Sequence, residues 1–190
     1  FGWKGQVPAL RDFVKDAMAG ELGITTPDDG RGFAMLADAD DRPDPELPED
    51  QVEDVFFFMT SLAEPARAGS DDPRVEQGEQ IFETIGCAKC HIPTLASDLG
   101  PVPLFSDLLL HNVMPDGFIG MSEPGAGMGF YRTPPLWGMR HTAPYMHDGR
   151  AADAEEAIFA HHNEAGRVKY AFKRLPIEQQ EALLSFLLDL

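Results

Sequence analysis

Apolar residues recur at intervals of three and four residues in several stretches of the chain, which is the spacing of an amphipathic helix. Pro48 occupies the first turn of one stretch, and Asp153 with Glu156 forms a capping-box pattern at the start of another. The pattern therefore predicts helices rather than strands. The predicted helices cover residues 7–20, 47–62, 73–85, a stretch that starts at Asp153, and 176–190 with a buried stripe of Leu183, Leu184, Leu187 and Leu188.

The segments between these helices are rich in proline and glycine. Residues 25–48 and 63–73 are typical of an exposed loop and a linker. Residues 92–150 are too long for an ordinary connection, yet they carry apolar and aromatic side chains throughout, and only residues 104–111 among them have helical spacing. We expect a long Pro/Gly-rich loop that wraps over a cofactor. Because no stretch alternates as a strand does, the predicted fold class is all-α.

Two of the predicted helices resemble each other in sequence. Residues 47–62 align without gaps on residues 175–190, and their apolar positions agree. Any two amphipathic helices share some pattern, so coincidence is one interpretation. The other is that each helix closes a separate domain. On that interpretation residues 1–66 are the C-terminal helices of an upstream domain, and residues 67–190 form a second domain.

The balance of charge narrows the classes of partner. The chain has 32 acidic and 15 basic residues and a formal net charge of −17, which argues against nucleic acid and anionic membranes as partners. A partner with a basic surface would be attracted by this negative charge. No apolar run approaches the ~20 residues that a membrane span needs. Because the chain starts at Phe1 without an initiator methionine or a signal peptide, we expect a piece of a longer protein.

Both cysteines of the chain lie in one motif, Cys87-Ala88-Lys89-Cys90-His91. C-x-x-C-H is the attachment sequence of c-type haem, in which the sulfurs form thioethers with the haem vinyl groups and the histidine binds the iron. A thioredoxin-type redox pair would follow a strand, and none is predicted upstream. A zinc site would need further ligands at short spacing. The motif therefore predicts one covalent haem c, with a haem-free thiol-disulfide or metal-binding module as the remaining alternative.

The motifs on either side of this site occur in a definite order. They are residues 1–4 (FGWK), 86–91 (GCAKCH), 106–111 (SDLLLH), 131–138 (YRTPPLWG), 145–150 (YMHDGR) and 155–158 (EEAI). In this order the chain resembles the C-terminal half of the di-haem oxidoreductases, also called di-haem peroxidases or thiol oxidoreductases. These are relatives of the bacterial di-haem cytochrome c peroxidases and of MauG. The chain departs from the family in lacking a first haem motif.

The resemblance implies a cytochrome c-like haem domain whose terminal helices cross, where the small Gly78 lets them approach closely. It also implies a second haem, bound upstream of Phe1. Residues 67–190 would pass electrons between that haem and an external donor protein, for which a basic surface is expected. A peroxide-activating site in this domain is the alternative. Because c-type haem is attached after export, the family context implies the periplasm or another extracytoplasmic location.

The second axial ligand of the iron is the main choice left open. Extending the predicted helix from Asp153 places His161 on its buried face, in the stripe of Ala154, Ala157, Ile158 and His161. The resemblance points to the same residue, since the corresponding position supplies a methionine in the related peroxidases and a tyrosine in MauG. We therefore predict His91 and His161 as the axial ligands, with Met146 and Met114 as alternatives.

The other methionines and histidines are weaker candidates for ligation. For His111 and His147 we expect a bond to loop backbone rather than to iron. The remaining candidates are Met121, Met128, Met139, His141 and His162.

Four further residues are expected around the haem. Arg132 and Arg150 suit haem propionates because a guanidinium matches a carboxylate fork, and exposed arginines without a ligand are the alternative. Trp137 and Tyr145 are expected to pack at the haem edge rather than to relay electrons.

Overall fold

The computed structural model describes residues 1–28, 30, 34–98 and 100–190. Over these residues the chain folds as two compact units, Phe1–Ala63 and Glu64–Leu190. None of the helices described is long and apolar enough to cross a membrane. The α-helices are α1 (Leu10–Ala17), α2 (Glu49–Thr60), α3 (Pro73–Ile85), α4 (Ala154–Ala160), α5 (Gly166–Lys173) and α6 (Ile177–Asp189).

The first unit consists of α1, α2 and the chain between them. α1 continues into a π-helical turn over Met18–Leu22, and Gly23 stops it at a φ of +69°, a conformation that glycine adopts without steric cost. Arg11 of α1 forms ion pairs with Glu49 and Glu53 of α2. That this unit is the tail of an upstream haem domain stays a prediction.

The predicted loop over residues 25–48 is irregular where it is described, and residues 29 and 31–33 within it lie outside the described residues. The two ends of this loop are joined by hydrogen bonds. The Glu46 backbone N–H donates to the Thr25 hydroxyl at 2.9 Å, and the Thr25 N–H donates to the Glu46 carboxylate at 3.2 Å.

The second unit is built on the crossing of α3 and α6. α3 is capped by Asp72, whose carboxylate accepts a hydrogen bond from the Arg74 backbone N–H at 2.9 Å. Gly78 lies at the crossing, where a Cβ atom would stand 2.6 Å from Cβ of Phe186 and would overlap the carbonyl oxygen of Ala182. The predicted close approach at Gly78 is confirmed.

The same crossing decides which leucines of α6 are buried. Leu183 and Leu187 are buried as predicted, and Leu184 is half-buried. The predicted stripe was wrong at Leu188, which is 42% exposed, because α6 turns the side that carries Phe186 toward α3. The buried cluster of this unit comprises Val75, Phe82, Phe105, Met139, Ala154, Phe172, Leu183, Phe186, Leu187 and Leu190.

The prediction of an all-α fold was wrong for part of the long middle segment. The fold is mostly helical, but β1 (Leu95–Ser97) pairs antiparallel with β2 (Gly100–Val102), and β3 (Leu110–Asn112) pairs antiparallel with β4 (Phe130–Arg132). Strands of three residues are too short to show the alternation that identifies a strand in a sequence.

The helix predicted over residues 104–111 is also absent. Phe105 and Leu108 have φ values of +52° and +57°, which a right-handed helix excludes. The Ser106 hydroxyl accepts a hydrogen bond from the Leu108 N–H at 2.9 Å, and the Asp107 carboxylate accepts one from the backbone two residues on. Such side-chain bonds to nearby backbone stabilise turns in competition with a helix.

The cap predicted at Asp153 is confirmed, and Glu156 reaches back to the residue before the cap rather than to the cap itself. Asp153 accepts a hydrogen bond from the Glu156 N–H, and the Glu156 carboxylate accepts one from the Ala152 N–H, each at 2.8 Å. However, α4 ends at Ala160, so His161 follows the helix in an extended conformation and does not extend its stripe. α5 was not predicted, because its 8 residues hold too few apolar positions to establish a period.

Candidate functional site

The C-x-x-C-H motif begins where α3 ends. Gly86 stops the helix at a φ of +100°, and Cys87–Lys89 form one 3-10 turn. The N–H groups of Cys90 and His91 both donate to the carbonyl of Cys87, at 3.3 and 3.0 Å. The motif is therefore a closed turn at the end of the helix that crosses α6.

Both thiols of the motif are half-buried and free. Burial raises the pKa of Cys87 to about 12. Burial also raises the pKa of Cys90, and the negative charges of Asp107 and Glu164 act in the same direction. Both sulfurs therefore carry protons at neutral pH, which suppresses thiolate chemistry.

His91 is oriented by a backbone carbonyl. Its Nδ1 lies 2.9 Å from the carbonyl oxygen of Phe105, so Nδ1–H donates and Nε2 carries the lone pair that a metal ion needs. Burial lowers the pKa of His91 to about 4, and the proximity of His161 acts in the same direction. The ring is therefore neutral at physiological pH, which is the form that binds metals.

Three phenylalanines pack around His91 and the carbonyl that it contacts. Phe82, Phe105 and Phe186 are buried, and their ring centres lie 5.3 to 6.0 Å apart in edge-to-face contact, a favourable arrangement of aromatic rings. The Phe82 ring centre lies 6.4 Å from that of His91. The packing of α3 on α6 thus also sets the position of the histidine.

His161 has the same arrangement as His91. Its Nδ1 lies 2.7 Å from the carbonyl oxygen of Ala157, which again leaves Nε2 as the metal-binding atom. Burial lowers the pKa of His161, and the nearby Lys169 and His162 lower it further. The proximity of His161 disfavours the charged form of His91, and both rings are neutral at physiological pH.

The alternative ligands have less suitable surroundings. Met114 is 1% exposed, and its sulfur lies 4.0 Å from Nη1 of Arg150, so a cation already contacts the lone pairs that a metal would use. Met146 is half-buried at a turn with a φ of +68°. Met121 and Met128 are 70% and 46% exposed.

The remaining histidines bond to other side chains. Both ring nitrogens of His111 contact carboxylates, so the prediction of a bond to loop backbone was wrong for it. Nε2 of His147 lies 3.0 Å from the Tyr131 hydroxyl, and the two rings stack with their centres 4.0 Å apart. Nδ1 of His162 lies 3.1 Å from Nζ of Lys169.

The four residues expected at the haem edge differ in their surroundings. Arg150 is exposed and forms an ion pair with Asp148, whereas Arg132 is half-buried, and burial lowers the pKa of its guanidinium. The Tyr145 hydroxyl donates to a backbone carbonyl at 2.7 Å, and its ring packs on the buried cluster. Trp137 is half-buried. Their roles toward a haem stay predictions.

Sequence reasoning missed a network of charged groups beside the motif. Nε2 of His111 lies 2.8 Å from the Asp107 carboxylate, and Nδ1 lies 2.9 Å from the Glu164 carboxylate. The Asp107 N–H donates to the Cys90 carbonyl at 2.8 Å. The i, i+4 spacing of Asp107 and His111 was visible in the sequence, but Glu164 lies 53 residues beyond His111.

The groups of this network stabilise one another's charged forms. Burial lowers the pKa of His111, but its bonds to Glu164 and Asp107 outweigh burial and raise the pKa. Burial raises the pKa of Asp107, and its bonds to His111 and to backbone outweigh that effect and lower it. Cys90, Asp107 and His111 offer donor atoms within 4.8 Å of one another. Because both nitrogens of His111 are already bonded, we interpret the cluster as a salt-bridge network.

The donor set fits a covalently bound haem c. Cys87 and Cys90 supply neutral thiols in one turn, and His91 presents an available Nε2 directly after them. His161 offers a second neutral imidazole nearby. Two thioether-forming cysteines and axial histidines are the groups by which proteins hold this cofactor.

Comparison with known proteins agrees with this chemistry. The chain matches the family described as "Di-haem oxidoreductase, putative peroxidase" over residues 1–190. It is 29% identical over 171 residues to the "Cytochrome-c peroxidase IdrP2" of Pseudomonas sp. (strain SCT), in an alignment that covers 70% of this chain and 46% of that protein. The chain thus spans about half the length of this relative.

One solved structure shares the fold at low sequence identity, and a second gives a weaker match. The hydrazine synthase of Kuenenia stuttgartiensis, solved under xenon pressure, is similar with a TM-score of 0.56 and 20% identity, over 74% of this chain and 55% of that chain. A MauG-like protein associated with microbial copper homeostasis matches with a TM-score of 0.43 and 22% identity, over 64% and 47%. The first likeness concerns the fold alone, and the second is too low to support an argument.

Proposed function

Because this chain belongs to the family of di-haem oxidoreductases, we propose that residues 67–190 form its electron-transfer domain, with one haem c bound covalently to Cys87 and Cys90. The observation that carries the proposal is the matched state of His91 and His161, two neutral rings whose Nδ1–H groups are bonded to backbone carbonyls. When bound, the haem supplies reversible one-electron chemistry at its iron.

The protein's part in this function is to fill both axial positions and to hold them. Nε2 of His91 and Nε2 of His161 would hold the haem iron and would leave a substrate no place to bind on it. The phenylalanines around His91 hold its ring in place. A site held in this way would allow electron transfer without a change of ligands.

We further propose that α2 packs against an upstream domain that carries the second haem. Phe186 in α6 and Leu190 directly after it are 0% and 1% exposed, whereas the aligned residues, Phe58 in α2 and Leu62 shortly after it, are 61% and 56% exposed. An apolar face of this kind is typical of a contact surface. By analogy with the packing of α6 on α3, its proposed occupant is a helix that leads into the first haem motif.

The external partner is proposed to be a redox protein with a basic surface, because the net charge of −17 attracts cations. The proposed location is the periplasm or another extracytoplasmic compartment, since c-type haem is attached after export. The same negative charge argues against nucleic acid as a partner.

The two alternative functions make different demands on the site. A peroxide-activating site needs an open axial position and a group that transfers protons over it, and His161 occupies that position in our assignment. A thiol-disulfide module needs a thiolate of low pKa, whereas burial raises the pKa of Cys87 to about 12.

The test uses the haem-loaded protein. We expect haem to stay with the polypeptide in acid acetone, a mass that includes one haem, a low-spin ferric spectrum, and no tight binding of cyanide. The variant His161→Ala should become high-spin. Haem that leaves with the solvent would contradict covalent attachment. Tight cyanide binding, or rapid turnover of peroxide with a chemical donor, would favour the peroxide-activating alternative.

A further inference from the structure

His161 lies in a short segment between two helices. α4 ends at Ala160, His161 is extended, and a 3-10 turn over Asn163–Ala165 leads into α5. Asn163 has a φ of +44°, in the left-handed region that asparagine adopts more readily than most residues. The position of His161 therefore depends on the contacts that hold residues 161–165.

Two of these contacts are neutral hydrogen bonds to the strand end at residues 113–114. The His162 N–H donates to the Val113 carbonyl at 2.9 Å. The side-chain amide of Asn163 donates to the Met114 carbonyl at 2.6 Å.

Glu164 makes the charged contacts of the segment with β3. Its carboxylate accepts a hydrogen bond from the Asn112 N–H at 2.7 Å and one from the His111 ring at 2.9 Å. On the opposite side of the ring lies Asp107, whose N–H donates to the Cys90 carbonyl at 2.8 Å. A continuous series of bonds thus joins the haem-attachment turn to the segment that carries His161.

The same stretch of chain also orients the other axial histidine. His91 donates to the carbonyl of Phe105, two residues before Asp107, and the contacts to the His161 segment come from residues 111–114. Residues 105–114 therefore connect the supports of both axial ligands. Among these supports, the bonds to Glu164 involve a full charge and are the strong ones.

We propose that Glu164, His111 and Asp107, here called the carboxylate latch, are positioning residues that keep His161 on the haem iron. The inference rests on the function proposed above, in which His161 is the sixth ligand. With the latch closed, the segment is tied to β3 and the site is six-coordinate. With the latch open, the segment keeps only neutral bonds to residues 112–114, His161 withdraws, and a small ligand can reach the iron.

The position of Glu164 suits such a role. Its side chain is 49% exposed, whereas those of His111 and Asp107 are 20% and 10% exposed. The outer member of the latch is therefore accessible to solvent or to a protein partner, and the inner members are fixed next to the haem turn. The latch would decide whether this domain only transfers electrons or also binds a ligand.

The experiment compares variants of the haem-loaded protein. Glu164→Ala removes both charged bonds, and Glu164→Gln keeps an acceptor for the Asn112 N–H but removes the charge opposite His111. Glu155→Gln is the matched control, because it makes the same change of charge at an exposed position of α4. The measurements are the rate of carbon monoxide binding to the reduced protein, and amide hydrogen exchange at residues 112 and 162.

We expect Glu164→Ala to bind carbon monoxide at least about tenfold faster than the unmodified protein. A tenfold change corresponds to the free energy that is lost with a charge-assisted hydrogen bond. Exchange at residues 112 and 162 should also accelerate. Glu164→Gln should have an intermediate effect, and Glu155→Gln should have none. If Glu164 were merely structural, Glu164→Ala would lower the midpoint of unfolding and leave the rate of carbon monoxide binding unchanged.

His161→Ala, measured in parallel, separates the two proposals. Fast carbon monoxide binding in His161→Ala together with an unchanged rate in Glu164→Ala would overturn the latch and leave the axial assignment intact. A low-spin spectrum that persists in His161→Ala would overturn the axial assignment and the latch with it.

Discussion

At the scale of single residues, two histidines reach the same chemical state by the same means. A backbone carbonyl accepts the Nδ1–H of His91 and of His161, and burial lowers the pKa of each ring. Each Nε2 therefore carries a lone pair at neutral pH. Histidine donates more strongly than a thioether and favours ferric iron, so this pair, as the proposed axial ligands, would give a lower reduction potential than a His/Met site.

The first prediction is that His161→Met raises the reduction potential of the haem-loaded protein. The expected rise is on the order of 0.1 V, a fraction of the ~0.8 V over which axial ligands tune haem. Potentiometric titration followed by absorption measures it. His141→Met, the same change at an exposed histidine, should leave the potential unchanged. An unshifted potential in His161→Met would move the assignment of the sixth ligand to Met114 or Met146.

At the scale of elements, the α3–α6 crossing supports both the core and the turn that carries the C-x-x-C-H motif. Gly78 is the closest point of the crossing, since a Cβ there would overlap the carbonyl of Ala182. The helix has no room to move without also displacing Phe82, which packs on Phe186 with ring centres 5.3 Å apart. Stability and the position of His91 are therefore linked through one helix pair.

Gly78→Ala should consequently destabilise the second unit by about 1–3 kcal/mol or more, as overpacked sites do. Urea unfolding of the haem-loaded protein measures the change. Gly166→Ala provides the control, because an added Cβ at Gly166 has no neighbour within 4 Å, and alanine is favoured over glycine in a helix by up to about 1 kcal/mol. Equal effects of the two substitutions would contradict the role of the crossing.

A second element-scale feature is the attachment of residues 64–70 to the end of α6. The Asp189 carboxylate accepts bonds from the Ser70 N–H at 2.9 Å and from Arg67 Nε at 3.0 Å, and its carbonyl accepts one from Ala68 at 2.7 Å. Burial raises the pKa of Asp189, but the bonds from Ser70 and Arg67 outweigh it, and the pKa lies below the usual 3.8.

Asp189→Asn should therefore lower the free energy of unfolding at pH 7 by about 1–3 kcal/mol. Because the folded pKa is depressed, the contribution of the carboxylate is fully present above its unfolded pKa and is lost as the pH falls through the folded pKa. The difference between the two proteins should accordingly shrink below pH 3.8. Urea titrations at several pH values test this, with the exposed Asp71→Asn as control. A difference independent of pH would contradict the argument.

At the scale of the whole chain, the net charge of −17 should act on encounters with charged redox reagents. A negative field attracts cations and repels anions, and salt screens both effects. The screening length falls from about 30 Å at 0.01 M to about 8 Å at 0.15 M ionic strength. Electron exchange should therefore respond to salt in opposite directions for reagents of opposite charge.

The corresponding prediction concerns the oxidation of the reduced, haem-loaded protein. Hexaammineruthenium(III), a cation, should react more slowly as salt rises over this range, and ferricyanide, an anion, should react faster, each by about severalfold. Stopped-flow absorption at two ionic strengths measures both rates. The same salt dependence for the two reagents would show that the net charge does not act at the site of electron exchange.

Much of the helical framework was predictable because it depends on neighbours in the chain. The bounds predicted for α3 agree with the structure, and Asp153 caps α4 as its spacing to Glu156 indicated. The strands of the middle segment were not predictable, because three-residue strands carry no period. The error at Leu188 arose since a leucine stripe does not reveal which of its sides meets α3.

The sequence alone predicted the covalent attachment proposed for the site, because C-x-x-C-H requires only that two sulfurs and an imidazole follow one another at short spacing. It also determined the helix that presents the motif and the glycine at its crossing, for the same local reason. Only the tertiary structure decided that His161 lies beyond a helix and that Glu164 reaches His111. The contact between Glu164 and His111 joins residues 53 positions apart. Its geometry depends on how the intervening loop and helices pack rather than on the spacing of the residues.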